Sequence, residues 1–151
     1  MTSSGAELAP RRIVIDTSTY SRWGRGNADV EQRIATAERV LVPTIVIGEL
    51  AAGFMLGAKR AANEKFFAAF LAQPFVDVIA VDADVSLRYG ALFAKLLRAG
   101  TPIPTNDIWI AACTLVAGAH LVTFDTDFTH VDGLPMTLLR AGPAPPASEI
   151  S

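Results

Sequence analysis

Short runs of β-branched residues alternate with longer segments of helical composition along most of the chain. RIVID (residues 12–16) predicts a buried strand, and VLVP (residues 40–43) predicts a second one. The segment between them, residues 29–39, has the composition of a helix. Because strand, helix and strand follow one another within about thirty residues, the pattern predicts a parallel crossover connection.

A pair of apolar helices is predicted to follow the second strand. TIVIGELAAGFMLG begins with Thr44, which can cap a helix, and AKRAANEKFFAAFLAQP predicts a second helix that is stopped by Pro74. Glu49 is the one charged residue in the first of these segments. Because acids are seldom buried without a compensating group, we expect Glu49 either to turn to solvent or to face a cation.

The rest of the chain predicts three strands and two helices. FVDVIAVD predicts a strand, DADVSLRYGALFAKLLRAG predicts a long helix closed by Gly100, and NDIWIAACTLVAG predicts a helix closed by Gly118. AHLVTFD and MTLLR (residues 136–140) predict the last two strands. This alternation indicates a three-layer α/β/α sandwich around a mostly parallel sheet of about five strands.

The length and the terminal composition indicate one domain with two tails. A chain of 151 residues can bury one sizeable core and is too short for two ordinary domains. Residues 1–10 are small and polar, and residues 141–151 are rich in Ala, Pro and Ser, so both segments are predicted to be flexible tails around a domain of residues 11–140. The net charge of −2 excludes a globally basic nucleic-acid binder but leaves room for a local arginine patch.

Cysteine content and hydropathy bear on the compartment. Cys113 is the single cysteine, which excludes an intrachain disulfide, and its apolar setting predicts a buried core residue. No stretch approaches the ~18 continuous apolar residues of a membrane span, and the N-terminal segment lacks the apolar region of a signal peptide. We therefore expect a soluble, cytoplasmic protein.

Four acids fall at positions that the predicted topology brings together. Asp16 ends the first strand, Asp125 follows the strand HLVT, and Asp107 begins a helix that runs back from the same edge of the sheet. In open parallel sheets, ligands bind beyond the carboxyl ends of the strands. With Glu49, these residues predict a cluster of carboxylates at that edge.

Each acid also has a purely structural interpretation. Asp16 could cap a helix, and Asp107 could occupy a first helical turn, where the helix dipole favours negative charge. Asp125 and Asp127 could be turn residues in FDTDF. Four such coincidences at one predicted edge are harder to explain than one site.

Convergent carboxylates would repel one another, and a hard divalent cation would resolve that conflict. Mg²⁺ and Mn²⁺ prefer oxygen ligands, whereas His120 and His130 are isolated and are interpreted as structural residues rather than zinc ligands. A site of this kind suits phosphoryl chemistry, in which metal ions activate a water molecule and stabilise the leaving oxygen.

The segments IVIDTSTY, IGEL, PIPTNDIWIAA and LVTFDTDF together resemble the PIN domain, particularly the VapC-type toxins of bacterial toxin–antitoxin pairs. The resemblance covers about residues 12–140. It implies an endoribonuclease that depends on Mg²⁺ or Mn²⁺, that is held inactive by a cognate VapB-like antitoxin and that forms a homodimer. The apolar helices of residues 44–72 are the expected docking place for such a partner.

The resemblance also implies roles for individual residues. The four acids of the family correspond to Asp16, Glu49, Asp107 and Asp125, which would bind the metal and carry catalysis. Supporting roles at the site fall to three further residues: Ser18 and Thr123, which would hold a carboxylate or a water molecule, and Asp127.

Two other phosphate enzymes share this architecture and fit less well. A haloacid-dehalogenase-like phosphatase requires a second aspartate two residues after Asp16, where Ser18 stands. A response-regulator receiver requires a lysine beyond the fourth strand, and no lysine follows Lys95.

A non-catalytic binding module is the alternative from a different class. Arg22 and Arg25 are candidate substrate-binding residues, and with Lys59 and Arg60 they could form a positive rim on which RNA binds. These residues could equally be ordinary solvated charges. An intact set of four carboxylates favours the enzyme, because a binding module has no need of acids that destabilise it together.

Overall fold

The structure is a computed structural model that describes residues 9–141. Of the two predicted tails, Ala9, Pro10 and Ala141 are described, and the remaining tail residues lie outside the described part of the chain.

Helices and strands alternate as the sequence pattern predicts. In chain order they are β1 (Arg12–Ile15), α1 (Thr17–Gly24), α2 (Ala28–Thr36), β2 (Arg39–Pro43), α3 (Thr44–Leu56), α4 (Arg60–Leu71), β3 (Val76–Ile79), α5 (Ala83–Arg98), α6 (Thr105–Val116), β4 (His120–Thr123) and β5 (Met136–Leu138). A short 3-10 helix, Thr126–His130, lies between the last two strands.

All five strands are parallel, in the order β3-β2-β1-β4-β5. The chain first builds outward from β1 through β2 to β3, and then continues on the other side of β1 with β4 and β5. The strand order therefore reverses between β1 and β4, where neighbouring connections diverge and leave a crevice beyond the carboxyl ends of the strands. Asp16 and Asp125 follow these two strands.

The apolar runs are explained by burial on both faces of the sheet. Val14, Leu41 and Leu121 lie within β1, β2 and β4 and are at most 2% exposed, because helices flank the sheet. Cys113 is fully buried in α6, which confirms its prediction as a core residue. The predicted α/β/α fold with a sheet of five strands is confirmed.

Two details of the helices differ from the predictions. Thr44 is the first residue of α3 rather than its cap, because the cap position is Pro43 and no side chain caps the helix. Helix α1 was not predicted as an element, since TSTYSRWG has no clear apolar period.

The predicted ends of α5 and α6 are confirmed. Gly100 and Gly118 follow these helices with φ of 73° and 59°, the left-handed conformation that closes helices.

Candidate active site

Asp16 lies at the carboxyl end of the central strand and is only 5% exposed. It caps α1, because its Oδ1 accepts a hydrogen bond from the Thr19 backbone N–H at 3.0 Å. The Ser18 hydroxyl donates to the same oxygen at 3.2 Å, and the Thr123 hydroxyl donates to Oδ2 at 2.5 Å. These donors satisfy the buried carboxylate without a basic partner and fix its orientation.

The Thr123 hydroxyl joins the ends of the two central strands. While it donates to Asp16, it accepts a hydrogen bond from the Asp125 backbone N–H at 3.0 Å. A second tie runs between the same elements, because the Thr19 hydroxyl donates to the Val122 carbonyl at 2.9 Å. Both threonines are fully buried, so the relative positions of Asp16 and Asp125 are set by short, water-excluded contacts.

Three half-buried aspartates form the densest group of acids in the described chain. Asp107, in the first turn of α6, and Asp125 and Asp127, on either side of the start of the 3-10 helix, each offer a carboxylate oxygen within 4.8 Å of the others. Asp125 also caps the 3-10 helix, since its Oδ1 accepts from the Asp127 N–H at 2.8 Å. Asp127, expected to have a supporting role, thus belongs to the same group as Asp107 and Asp125.

The pKa of Asp107 is raised by burial and by the close approach of these carboxylates. It is raised from 3.8 to about 7, first by burial and then by the neighbouring carboxylates of Asp125, Asp127 and Asp16. A hydrogen bond with Asp125 also favours the protonated form of Asp107. No basic side chain among residues 9–141 forms an ion pair with any acid of this cluster or with Asp16. Negative charge is thus concentrated here without compensation.

Glu49 faces α1. It lies on α3, is partly buried, and its Oε1 accepts a hydrogen bond from the Thr17 hydroxyl at 3.0 Å. Since Thr17 directly follows Asp16, this bond ties Glu49 to the edge at which Asp16 lies. Glu49 is not one of the three acids whose oxygens lie within 4.8 Å of one another.

The two candidate arginines lie in different environments. The Arg22 guanidinium carbon is 4.3 Å from the centre of the Phe124 ring, and Phe124 stands between Thr123 and Asp125. Arg25 is exposed beyond the end of α1 and lines a cleft between that helix and α4. Of the two, only Arg22 contacts a residue that directly precedes one of the candidate acids in the chain. Phe124 and Thr17 were not singled out in the sequence, because neither residue type signals a site on its own.

A cleft of about 720 Å³ lies away from the acids. It is lined by Ala9, Pro10, Ile13, Arg33, Thr36, His120, Val122 and Thr137. Ile13 and His120 pair at the start of β1 and β4, so the cleft opens near the amino ends of the strands.

The helices within residues 9–141 include none with the length and apolar content needed to span a lipid bilayer.

The chain matches a protein-family model and is similar in sequence to known proteins. The family model described as "PIN domain" matches residues 13–134. Ribonuclease VapC4 of Mycobacterium tuberculosis is 33% identical over 119 residues, which is 78% of this chain and 89% of that protein.

Solved structures share the fold. The VapBC2 complex of Rickettsia felis, bound to a DNA fragment from its promoter, contains a chain that matches with a TM-score of 0.78 and 21% identity, over 85% of this chain and 98% of that one. VapBC-5 of Mycobacterium tuberculosis, a member of a family of toxin–antitoxin systems, matches with a TM-score of 0.67 and 25% identity, over 87% of this chain and 100% of that one.

Proposed function

The chain belongs to the PIN domain family, and from this premise we propose that it is a metal-dependent endoribonuclease that acts as the toxin of a toxin–antitoxin pair. The observation that carries the proposal is the convergence of Asp107, Asp125 and Asp127 beside Asp16, with no basic side chain paired to them within the described residues. The similarity to Ribonuclease VapC4 supports RNA as the substrate.

The donor set fits a hard divalent cation. The cluster offers only carboxylate oxygens, which suit Mg²⁺ or Mn²⁺. In the proposal Asp16, Glu49, Asp107 and Asp125 bind the metal and carry catalysis, and Asp127 completes the cluster. A bound ion would supply an activated water molecule and neutralise charge on the phosphate.

The chain's own residues hold these acids in place. Thr123 and Ser18 orient Asp16 through their hydroxyls, and Thr17 orients Glu49. With the acids ionised at this edge of the sheet, the site can receive a phosphodiester without a nucleophilic side chain. The raised pKa of Asp107 means that metal binding must displace a proton at neutral pH.

The antitoxin is proposed to dock on α3 and α4. These helices expose large apolar side chains: Met55 at 59%, Leu56 at 90% and Phe66 at 51%. Beside them, a cleft of about 430 Å³ lies between α1 and α4, with Tyr20 and Phe54 among its lining residues. The Tyr20 hydroxyl is buried without a hydrogen-bond partner among the described residues, and a bound peptide could supply one. A homodimer and a cytoplasmic location complete the proposal.

Cleavage of RNA by the purified protein tests the activity. We expect degradation of total RNA with Mg²⁺ or Mn²⁺, none with EDTA, and none with Asp16→Asn, which keeps the size of the side chain but removes its charge. Circular dichroism and thermal melting establish that the variant is folded. Cleavage by folded Asp16→Asn at the wild-type rate would reject the assignment.

A non-cleaving RNA-binding module is the second candidate, favoured by the stacked Arg22 beside the site. It predicts RNA binding and metal binding with no cleavage under any metal.

A further inference from the structure

Arg22 differs from other arginines of the described chain in its partner. Arg11, Arg33, Arg39 and Arg60 each form an ion pair with a carboxylate. Arg22 forms none within residues 9–141 and instead lies over the Phe124 ring, at 4.3 Å from its centre. A face-on ring holds a guanidinium without neutralising its charge, so that charge stays available to another anion.

The geometry of α1 places Arg22 on the face of the helix that meets the end of β4. Arg22 lies one turn after Ser18 and Thr19, and residues at this spacing share one face of a helix. That face meets the carboxyl end of β4, because the Thr19 hydroxyl bonds the Val122 carbonyl and Arg22 covers Phe124. Helical side chains lean toward the N-terminus, which for α1 is the capping residue Asp16, about 9 Å away along the axis.

We propose that Arg22, held by Phe124, binds an RNA phosphate next to the one that is cleaved. The inference rests on the proposed function for its substrate. RNA that approaches the acid cluster brings several phosphates, and a metal compensates only the one that reacts. A neighbouring phosphate requires a separate positive charge, and the guanidinium fork can contact two phosphate oxygens at once.

Binding of RNA without cleavage is the decisive measurement. In Asp16→Asn protein with Mn²⁺, the affinity for a fluorescein-labelled single-stranded RNA of mixed sequence is measured by anisotropy at several salt concentrations. Addition of Arg22→Ala should weaken binding about tenfold and reduce the slope of log K against log salt by about 0.7, the value for one phosphate contact on a single strand. Arg22→Lys should recover at least half of the lost binding free energy, because a phosphate requires the charge.

A matched control removes the same charge elsewhere. Arg98→Ala, in the last turn of α5, should change the affinity less than twofold. In the protein with Asp16 intact, Arg22→Ala should raise KM about tenfold and change kcat less than threefold. Phe124→Leu should give a smaller rise in KM, because the charge remains but is no longer positioned.

Two results would overturn the assignment. One is an Arg22→Ala effect on affinity no larger than that of Arg98→Ala. The other is an equal loss in Arg22→Ala and Arg22→Lys together with a lower melting temperature, which would make Arg22 a purely structural residue. Failure of the proposed function would give a different result, because the protein with Asp16 intact would not cleave RNA. The anisotropy measurements would still decide whether Arg22 contacts phosphate.

Discussion

Asp77 and Asp107 are aspartates at two regions of the same fold with opposite electrostatic surroundings. Asp77, on the edge strand β3, accepts two hydrogen bonds from the Arg39 guanidinium, at 2.8 and 2.5 Å, and Arg39 holds its pKa below the usual value. Asp107, at the carboxyl edge, lies against other carboxylates, and its pKa is raised to about 7. The same side chain is thus stabilised as an anion in one place and destabilised in the other.

The contrast separates acids that serve the fold from acids that serve a site. Two acids outside the cluster, Asp77 and Glu38, are each paired with an arginine, Arg39 and Arg11 respectively. At the carboxyl edge the chain supplies hydroxyls and backbone N–H groups, which orient carboxylates but add no positive charge. Such an arrangement destabilises the metal-free protein and supports the proposal that a cation binds there.

Replacing Asp107 and Asp77 by asparagine in turn should give the largest difference in RNA cleavage rate. Asp107→Asn should lower the rate of RNA cleavage at least about 100-fold, because it removes a proposed metal ligand. Loss of a residue that only supports a metal ligand typically costs about 10–100-fold, and loss of the ligand itself should cost no less. Asp77→Asn should leave cleavage within twofold. Initial rates at saturating Mn²⁺ measure both, and equal activities in the two variants would remove the distinction.

Stabilisation of the folded protein by metal should depend on Asp107 and not on Asp77. An ion present at 100 times its Kd stabilises the folded state by about 2.7 kcal/mol, which raises Tm by about 5–10 °C in a chain of this size. Differential scanning fluorimetry with Mn²⁺ and with EDTA should show this shift in wild type and in Asp77→Asn, and not in Asp107→Asn. A wild-type Tm that is unchanged at millimolar Mn²⁺ would contradict the metal site.

Thr123→Val tests whether hydroxyls replace arginine as the support of the acids. The change leaves the Asp125 N–H without its acceptor and Asp16 Oδ2 without its donor, at a cost of about 1–3 kcal/mol in the free energy of unfolding. Cleavage should fall about tenfold or more, as for other groups that orient ligands. Thr114→Val is the control, since this equally buried hydroxyl only donates to the Ile110 carbonyl within α6. It should retain full activity.

The pH dependence of stability should reveal the crowding of Asp107 in the absence of metal. Because the pKa of Asp107 is raised from 3.8 to about 7 on folding, the folded state binds the extra proton between these values. This contribution to stability is therefore present at low pH and lost as the pH rises to about 7. In EDTA, the free energy of unfolding of wild type should fall relative to Asp107→Asn over this range and level off above it. A difference that does not vary with pH would mean that Asp107 titrates normally.

Much of the scaffold could be predicted because its signals are local. β-Branched runs predicted the strands, and Gly100 and Gly118 predicted helix ends, since each reflects a preference of a few neighbouring residues. Helix α1 was missed because its stability comes from Asp16 at its start and from the burial of Thr19 and Tyr20, which are tertiary facts. Asp16 also shows that two interpretations can hold at once, since it caps a helix and lies at the site.

Residue types and their order along the chain determined which acids could form a site, because a short apolar strand followed by an acid places that acid at an edge of the sheet. Only the tertiary structure decided which edges meet. The order β3-β2-β1-β4-β5 sets Asp16 beside the Thr123–Asp125 turn, and the first turn of α6 brings Asp107 to Asp125 and Asp127. The stacking of Arg22 on Phe124 depends on the same pairing of β1 with β4. These contacts join residues distant in sequence, so their geometry is set by packing of the whole sheet and not by any local pattern.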